Sequence, residues 1–119
     1  MALEYFDWEN GDVLVLHLQG PITLGQATQT LRQLIQDTVA AGRTKIVLNM
    51  AEVYYIDSSG LGTLVGVYSS ARAAGAEIKL GGLGERLHDV LQVTKLVTVF
   101  EVYNSEEQAI AAFRQPAKA

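Results

Sequence analysis

Cysteine is absent from this chain of 119 residues. Disulfides, thiolate nucleophiles and Cys-based metal sites are thereby excluded together. Histidine is nearly as scarce, with only His17 and His88. Neither stands near a second histidine in sequence, so there is no metal-ligand spacing and no metal is expected. Cations are the minority charge, 9 Lys and Arg against 13 Asp and Glu, for a net charge of −4. Binding a phosphate backbone needs clustered cations, so no nucleic-acid partner is expected. No apolar run approaches the roughly 18 residues that span a bilayer. Residues 1–12 carry acids where a signal peptide would begin basic, so a cytoplasmic location with no membrane partner is expected.

What is present reads as a globular domain. Apolar residues make up 49% of the chain and charged residues 18%, an ordinary composition for a packed core. At this length about two-thirds of the unfolded surface is buried on folding, which suits a single domain over 1–119 with a frayed tail at 115–119. Residues 3–8 are aromatic and apolar, and Asn10-Gly11 is a hairpin signal because both residues tolerate positive φ. Val13, Leu14, Val15, Leu16 and Leu18 follow, interrupted by His17, as in a strand covered on both faces. Gly20-Pro21 breaks that strand. Thr23 then precedes Gln26 at capping-box spacing, and a helix stripe of Leu24, Ala27, Leu31, Leu34, Ile35 and Thr38 runs to about residue 41.

The alternation continues. Residues 45–49 hold a short buried strand, and Asp57-Ser58-Ser59-Gly60 opens a helix with Leu61, Leu64, Val65, Tyr68 and Ala71 on one stripe. Residues 78–80 form another strand. Gly81-Gly82-Leu83-Gly84 then leads into a short helix with Leu87, Val90 and Leu91. Residues 97–102 read as the last strand, and Ser105 with Gln108 caps a final helix carrying Ala109, Ile110 and Phe113. The expected architecture is α/β: a mixed, mostly parallel sheet opened by an antiparallel hairpin, with about four helices.

Chemistry concentrates at Asp57-Ser58-Ser59-Gly60-Leu61-Gly62. This turn follows a central strand and opens a helix, the crevice position where open α/β sheets carry function. Its free N–H groups and helix dipole favour an anion. Two hydroxyls beside glycines leave an exposed acceptor with little bulk around it. The plainer reading makes Asp57 or Ser58 an N-cap and the glycines packing devices.

The run Val47-Leu48-Asn49-Met50 followed by Ile56-Asp57-Ser58-Ser59-Gly60-Leu61-Gly62 resembles the anti-sigma factor antagonists built on the STAS domain. The resemblance covers almost the whole chain, from the opening hairpin through Thr94-Lys95-Leu96 to the last helix. It implies that Ser58 is phosphorylated by a partner that is both anti-sigma factor and serine kinase, with Ser59 as a backup acceptor. It also implies that the unphosphorylated protein binds that partner and frees a sigma factor, that a phosphatase resets it, and that the protein itself is no enzyme and holds no cofactor. In this reading Asp57 caps and electrostatically sets the turn, Gly60 and Gly62 keep the docking surface low, and Leu61 is an apolar docking residue. The chain departs from the family at one loop. Where the family has Gly-Glu-Leu-Asp, Gly20-Pro21-Ile22-Thr23 stands here, and both charges are missing. Thr23 retains capping chemistry, so the fold should not suffer, but the missing charges lie near the expected phosphoacceptor, and altered or lost phosphorylation with preserved partner binding is expected.

Two other readings compete. A STAS module of a sensory complex would bind a small ligand or other proteins. A small serine hydrolase would place its nucleophile on a similar turn, but the Gly-x-Ser-x-Gly elbow fails at Ile56 and only His17 or His88 could act as base. The glycine loop at 81–84 lacks the Gly-Lys-Ser/Thr ending of a phosphate loop and reads as a tight connection.

Overall fold

The computed structural model describes residues 2–114; the expected tail at 115–119 lies outside them. Two strands open the chain, β1 (Glu4–Asn10) and β2 (Val13–Gln19). Their loop is Gly11-Asp12, one residue later than the Asn10-Gly11 signal suggests, because Asn10 still pairs with Val13. Gly11 takes φ 63° at the first loop position, where a type II′ turn requires it. The remaining elements are α1 (Gln26–Ala40), β3 (Lys45–Glu52), α2 (Ser58–Ala73), β4 (Glu77–Gly81), α3 (Glu85–Val93), β5 (Glu101–Tyr103) and α4 (Glu106–Phe113), with a 3₁₀ turn at Leu96–Thr98.

The five strands lie side by side in chain order. β1 is antiparallel to β2, and every later pair is parallel. Each parallel crossover therefore steps to the next strand in the same direction. Right-handed crossovers then place α1, α2 and α3 on one face, leaving only α4 to cover the other. The cores follow this division. Leu14, Leu16 and Leu18 of β2 join Leu31, Ile35, Leu64, Leu87 and Leu91 under the three crossover helices. Val13 and Val15 point the other way, into a smaller cluster with Val47, Ala109 and Ile110 of α4. Coverage on both faces explains the unbroken apolar run of β2. Each fully buried leucine of the larger core adds about 2 kcal/mol.

Three local expectations are corrected. Thr23 caps nothing: α1 begins at Gln26 with Gly25 as N-cap. Thr28 Oγ1 accepts from the Gly25 N–H at 3.2 Å, while the Gln26 side chain accepts from the Leu3 N–H at 2.9 Å. Leu24 consequently lies before the helix and off its buried stripe, 76% exposed. The strand expected over 97–102 shrinks to β5. Lys95 adopts φ 62° and its carbonyl accepts the Thr98 hydroxyl, so the β-branched residues before Phe100 coil into a turn instead.

Candidate functional site

The turn between β3 and α2 is built by two segments far apart in sequence. The Gly20 N–H donates to the Glu52 carbonyl, the Ile22 N–H to Tyr55, and the Asp57 N–H back to Ile22. Ile22 and Ile56 form an isolated parallel bridge, and Ile22 is fully buried. Pro21 and Thr23 remain half-buried beside the turn. The loop at 20–24 is thus a wall of the 57–62 turn.

Asp57 is the N-cap of α2, in extended backbone geometry. One carboxylate oxygen, Oδ1, accepts from the Gly60 N–H at 2.7 Å, and Oδ2 accepts from the Leu24 N–H at 3.0 Å. Its two oxygens therefore join helix and loop. The N–H groups of Leu24 and then Gly60 hold its carboxyl below the ordinary aspartate range. A depressed carboxyl stabilises the fold above its unfolded value, and that contribution is lost as pH falls through the lower folded value. Asp57→Asn keeps a single acceptor oxygen. It is expected to lower the urea midpoint at pH 7, with the gap to the native chain closing as pH drops below about 4. Paired urea titrations at pH 7 and pH 3 check this; an unchanged gap contradicts it.

Ser58 is the first residue of α2 and is exposed. Its hydroxyl has no hydrogen-bond partner among the described residues. Ser59 is half-buried, Leu61 packs partly against the main core, and Gly62 is exposed with open space where a Cβ would stand. Gly60 is buried beneath the loop at 20–24. A Cβ there would sit 2.0 Å from the Ile22 carbonyl oxygen, so this glycine permits the close approach of the loop.

The structure adds residues that sequence patterns missed. Leu24, Tyr54 and Tyr55 are large and exposed around the turn. A groove of about 700 Å³ runs from it between α1 and α2, lined by Leu24, Ile35, Ser59, Gly62, Gly66 and Val67. The small residues at 59, 62, 66 and 70 carried its signal, legible as a helical spacing. Leu24 was hidden by its fit to the helix stripe.

The histidines lie apart from Ser58. His17 points to the α4 face of the sheet, where its ring stacks on Phe6 at 4.6 Å, whereas α2 covers the opposite face. His88 sits half-buried on α3. Among the described residues neither is hydrogen-bonded to Ser58, so no nucleophile–base pair forms. No helix of the described residues is long and apolar enough to cross a membrane.

Comparison with known proteins accords with this geometry. Residues 8–109 match the family model described as the STAS domain. BtrV of Bordetella bronchiseptica, whose name marks it as a candidate anti-sigma factor antagonist, is 30% identical over 102 residues, covering 86% of this chain and 87% of that one. The anti-sigma-B factor antagonist of Listeria monocytogenes is 39% identical over 59 residues, 50% of this chain and 52% of that one. Among solved structures, the anti-sigma factor antagonist SpoIIAA in its unphosphorylated form and the Bacillus cell fate determinant SpoIIAA in its phosphorylated form each superpose with a TM-score of 0.69. The identities are 22% and 23%, with 97% and 93% of this chain covered and 100% of each of those. At that identity the likeness speaks for the fold alone.

Proposed function

The chain belongs to the STAS domain family, and from that premise we propose that it is an anti-sigma factor antagonist switched at Ser58. Unphosphorylated, it binds an anti-sigma factor through the 57–62 turn and the exposed Leu24, Tyr54 and Tyr55 around it. The partner is also the kinase: the γ-phosphoryl group of its ATP passes to Ser58 Oγ, the hydroxyl proton leaves, and ADP is released. A phosphatase hydrolyses the ester and restores binding. The antagonist is a binding protein without turnover of its own.

The observation that carries this reading is the division of labour between Asp57 and Ser58. A phosphate at a helix N-terminus is usually neutralised by free N–H groups. Here Asp57 already occupies the Gly60 N–H. A phosphate on the exposed Ser58 would add about −1.5 to −2 charges beside that carboxylate, facing outward. An apolar partner surface would have to desolvate it. The loop at 20–24 contributes Pro21, Thr23 and Leu24 to the same rim in place of two acids, so the kinase must recognise a rim without those charges. The names of the relatives favour the antagonist over a sensory module, and the separation of Ser58 from both histidines disfavours a hydrolase.

The test is incubation with the cognate anti-sigma factor and labelled ATP. Label on Ser58, and none on Ser58→Ala, is expected; equal labelling of both would reject Ser58 as acceptor.

A further inference from the structure

A second surface lies at the sheet edge formed by β1. All seven of its residues are exposed, and among the described residues no further strand pairs with it. Arg114 Nη2 donates to the Asn10 carbonyl at 2.8 Å, closing one end of the edge. The alternate residues Tyr5, Asp7 and Glu9 turn their main-chain N–H and C=O groups away from β2, the template that another strand extends. The opposite edge, β5, offers only three residues.

The two faces of β1 differ in chemistry. Phe6 and Trp8, 42% and 38% exposed, lie on the α4 face with ring centroids 5.2 Å apart. Phe6 stacks in turn on His17, beyond the cover of α4. On the α1 face a shallow groove of about 320 Å³ is lined by Tyr5, Asp7, Glu9, Asp37 and Arg43, among others. Among the described residues Arg43 is the one cation lining that groove, and it is paired with Glu9. Asp37 accepts only the Gln33 amide at 2.8 Å, and Asp7 has no ion pair among the described residues. A strand added to β1 sends alternate side chains to these two faces. One set would meet aromatic rings, and the other would meet carboxylates short of cations.

We propose that β1 accepts an extended segment of a partner protein, as a sixth strand, with Lys or Arg at every second position and apolar residues between. Main-chain bonds give the affinity and the alternation gives the specificity. A second copy of this chain fits poorly: an antiparallel β1–β1 pair centred on Asp7 sets that carboxylate against its own copy, and β1 carries no cation to offset its three acids. This surface is separate from the Ser58 turn and does not depend on it.

Trp8 is the chain's single tryptophan and reports on the edge directly. The probe is a ten-residue peptide alternating Lys and Val, titrated into the whole chain while Trp8 fluorescence and amide exchange are followed. A saturable change is expected, with new protection confined to the amides of Tyr5, Asp7 and Glu9. The same ten residues rearranged as a Lys block and a Val block should bind about tenfold more weakly, as should the alternating peptide to Asp7→Lys. Ser58→Glu should leave the affinity unchanged. Equal binding of the block peptide would overturn the proposal in favour of bulk charge attraction. Protection elsewhere, absence of a saturable response, or self-association of the chain that buries Trp8 would overturn it too. The two peptides decide the matter even if Asp7→Lys fails to fold.

Discussion

Gly60→Ala is expected to destabilise the fold by about 3 kcal/mol or more, the upper range for overpacking against an immobile neighbour. The added Cβ would stand 2.0 Å from the Ile22 carbonyl oxygen and 2.9 Å from its carbonyl carbon. Neither atom can yield cheaply. The Ile22 carbonyl accepts the Asp57 N–H and its own N–H donates to Tyr55, so a shift of the loop breaks the lacing that holds the turn. The Ile22 side chain is fully buried and resists the same movement. Gly62→Ala, two residues on, should do the reverse. No atom lies within 4 Å of its Cβ position, and alanine in a helix gains about 0.5–1 kcal/mol over glycine. Urea denaturation of the two variants beside the native chain checks the pair. Equal small effects would mean that the loop does not press on α2 as described.

That contrast shows where sequence reading stops. The two glycines stand in one hexapeptide with the same apparent role, and only the loop 38 residues earlier in the chain distinguishes them. Local patterns did better where the cause was local. The apolar run of β2, the stripe of α1 from Ala27 to Thr38, and the Ser105–Gln108 cap follow from composition, periodicity and side-chain reach, and the Gln108 N–H does donate to Ser105 Oγ at 3.1 Å. The Thr23–Gln26 spacing misled because tertiary bonds prevailed: Asp57 takes the Leu24 N–H and Leu3 engages Gln26, delaying the helix to the turn after Gly25. Residues 97–102 misled for a related reason. Their β-branched side chains suit a strand, but the chain must first turn at Lys95 to reach the edge of β4, and only Glu101–Tyr103 pairs there. The site was legible as a motif. The rim formed by Leu24, Tyr54 and Tyr55 was not, since exposure depends on which neighbours the fold supplies.

Phosphorylation of Ser58 is expected to weaken binding of the anti-sigma factor about 100-fold, within the usual span of regulatory coupling between sites. The effect needs no refolding. Asp57 keeps its two N–H donors, so the phosphate stays outside the cap and confronts the partner with a desolvation cost that the hydroxyl never imposes. Glutamate at position 58 should reproduce only part of the loss, because it carries one charge where the phosphate carries nearly two. Ser59→Ala should leave the switching intact, since the phosphate sits on Ser58.

The most direct measurement is a calorimetric titration of the anti-sigma factor into two homogeneous preparations of this chain, one unmodified and one carrying phosphoserine only at residue 58. The unmodified chain should bind and the modified chain should bind about 100-fold more weakly, with both retaining the same thermal midpoint within a few degrees. Equal affinity of the two preparations would contradict the assignment of Ser58 as the switch.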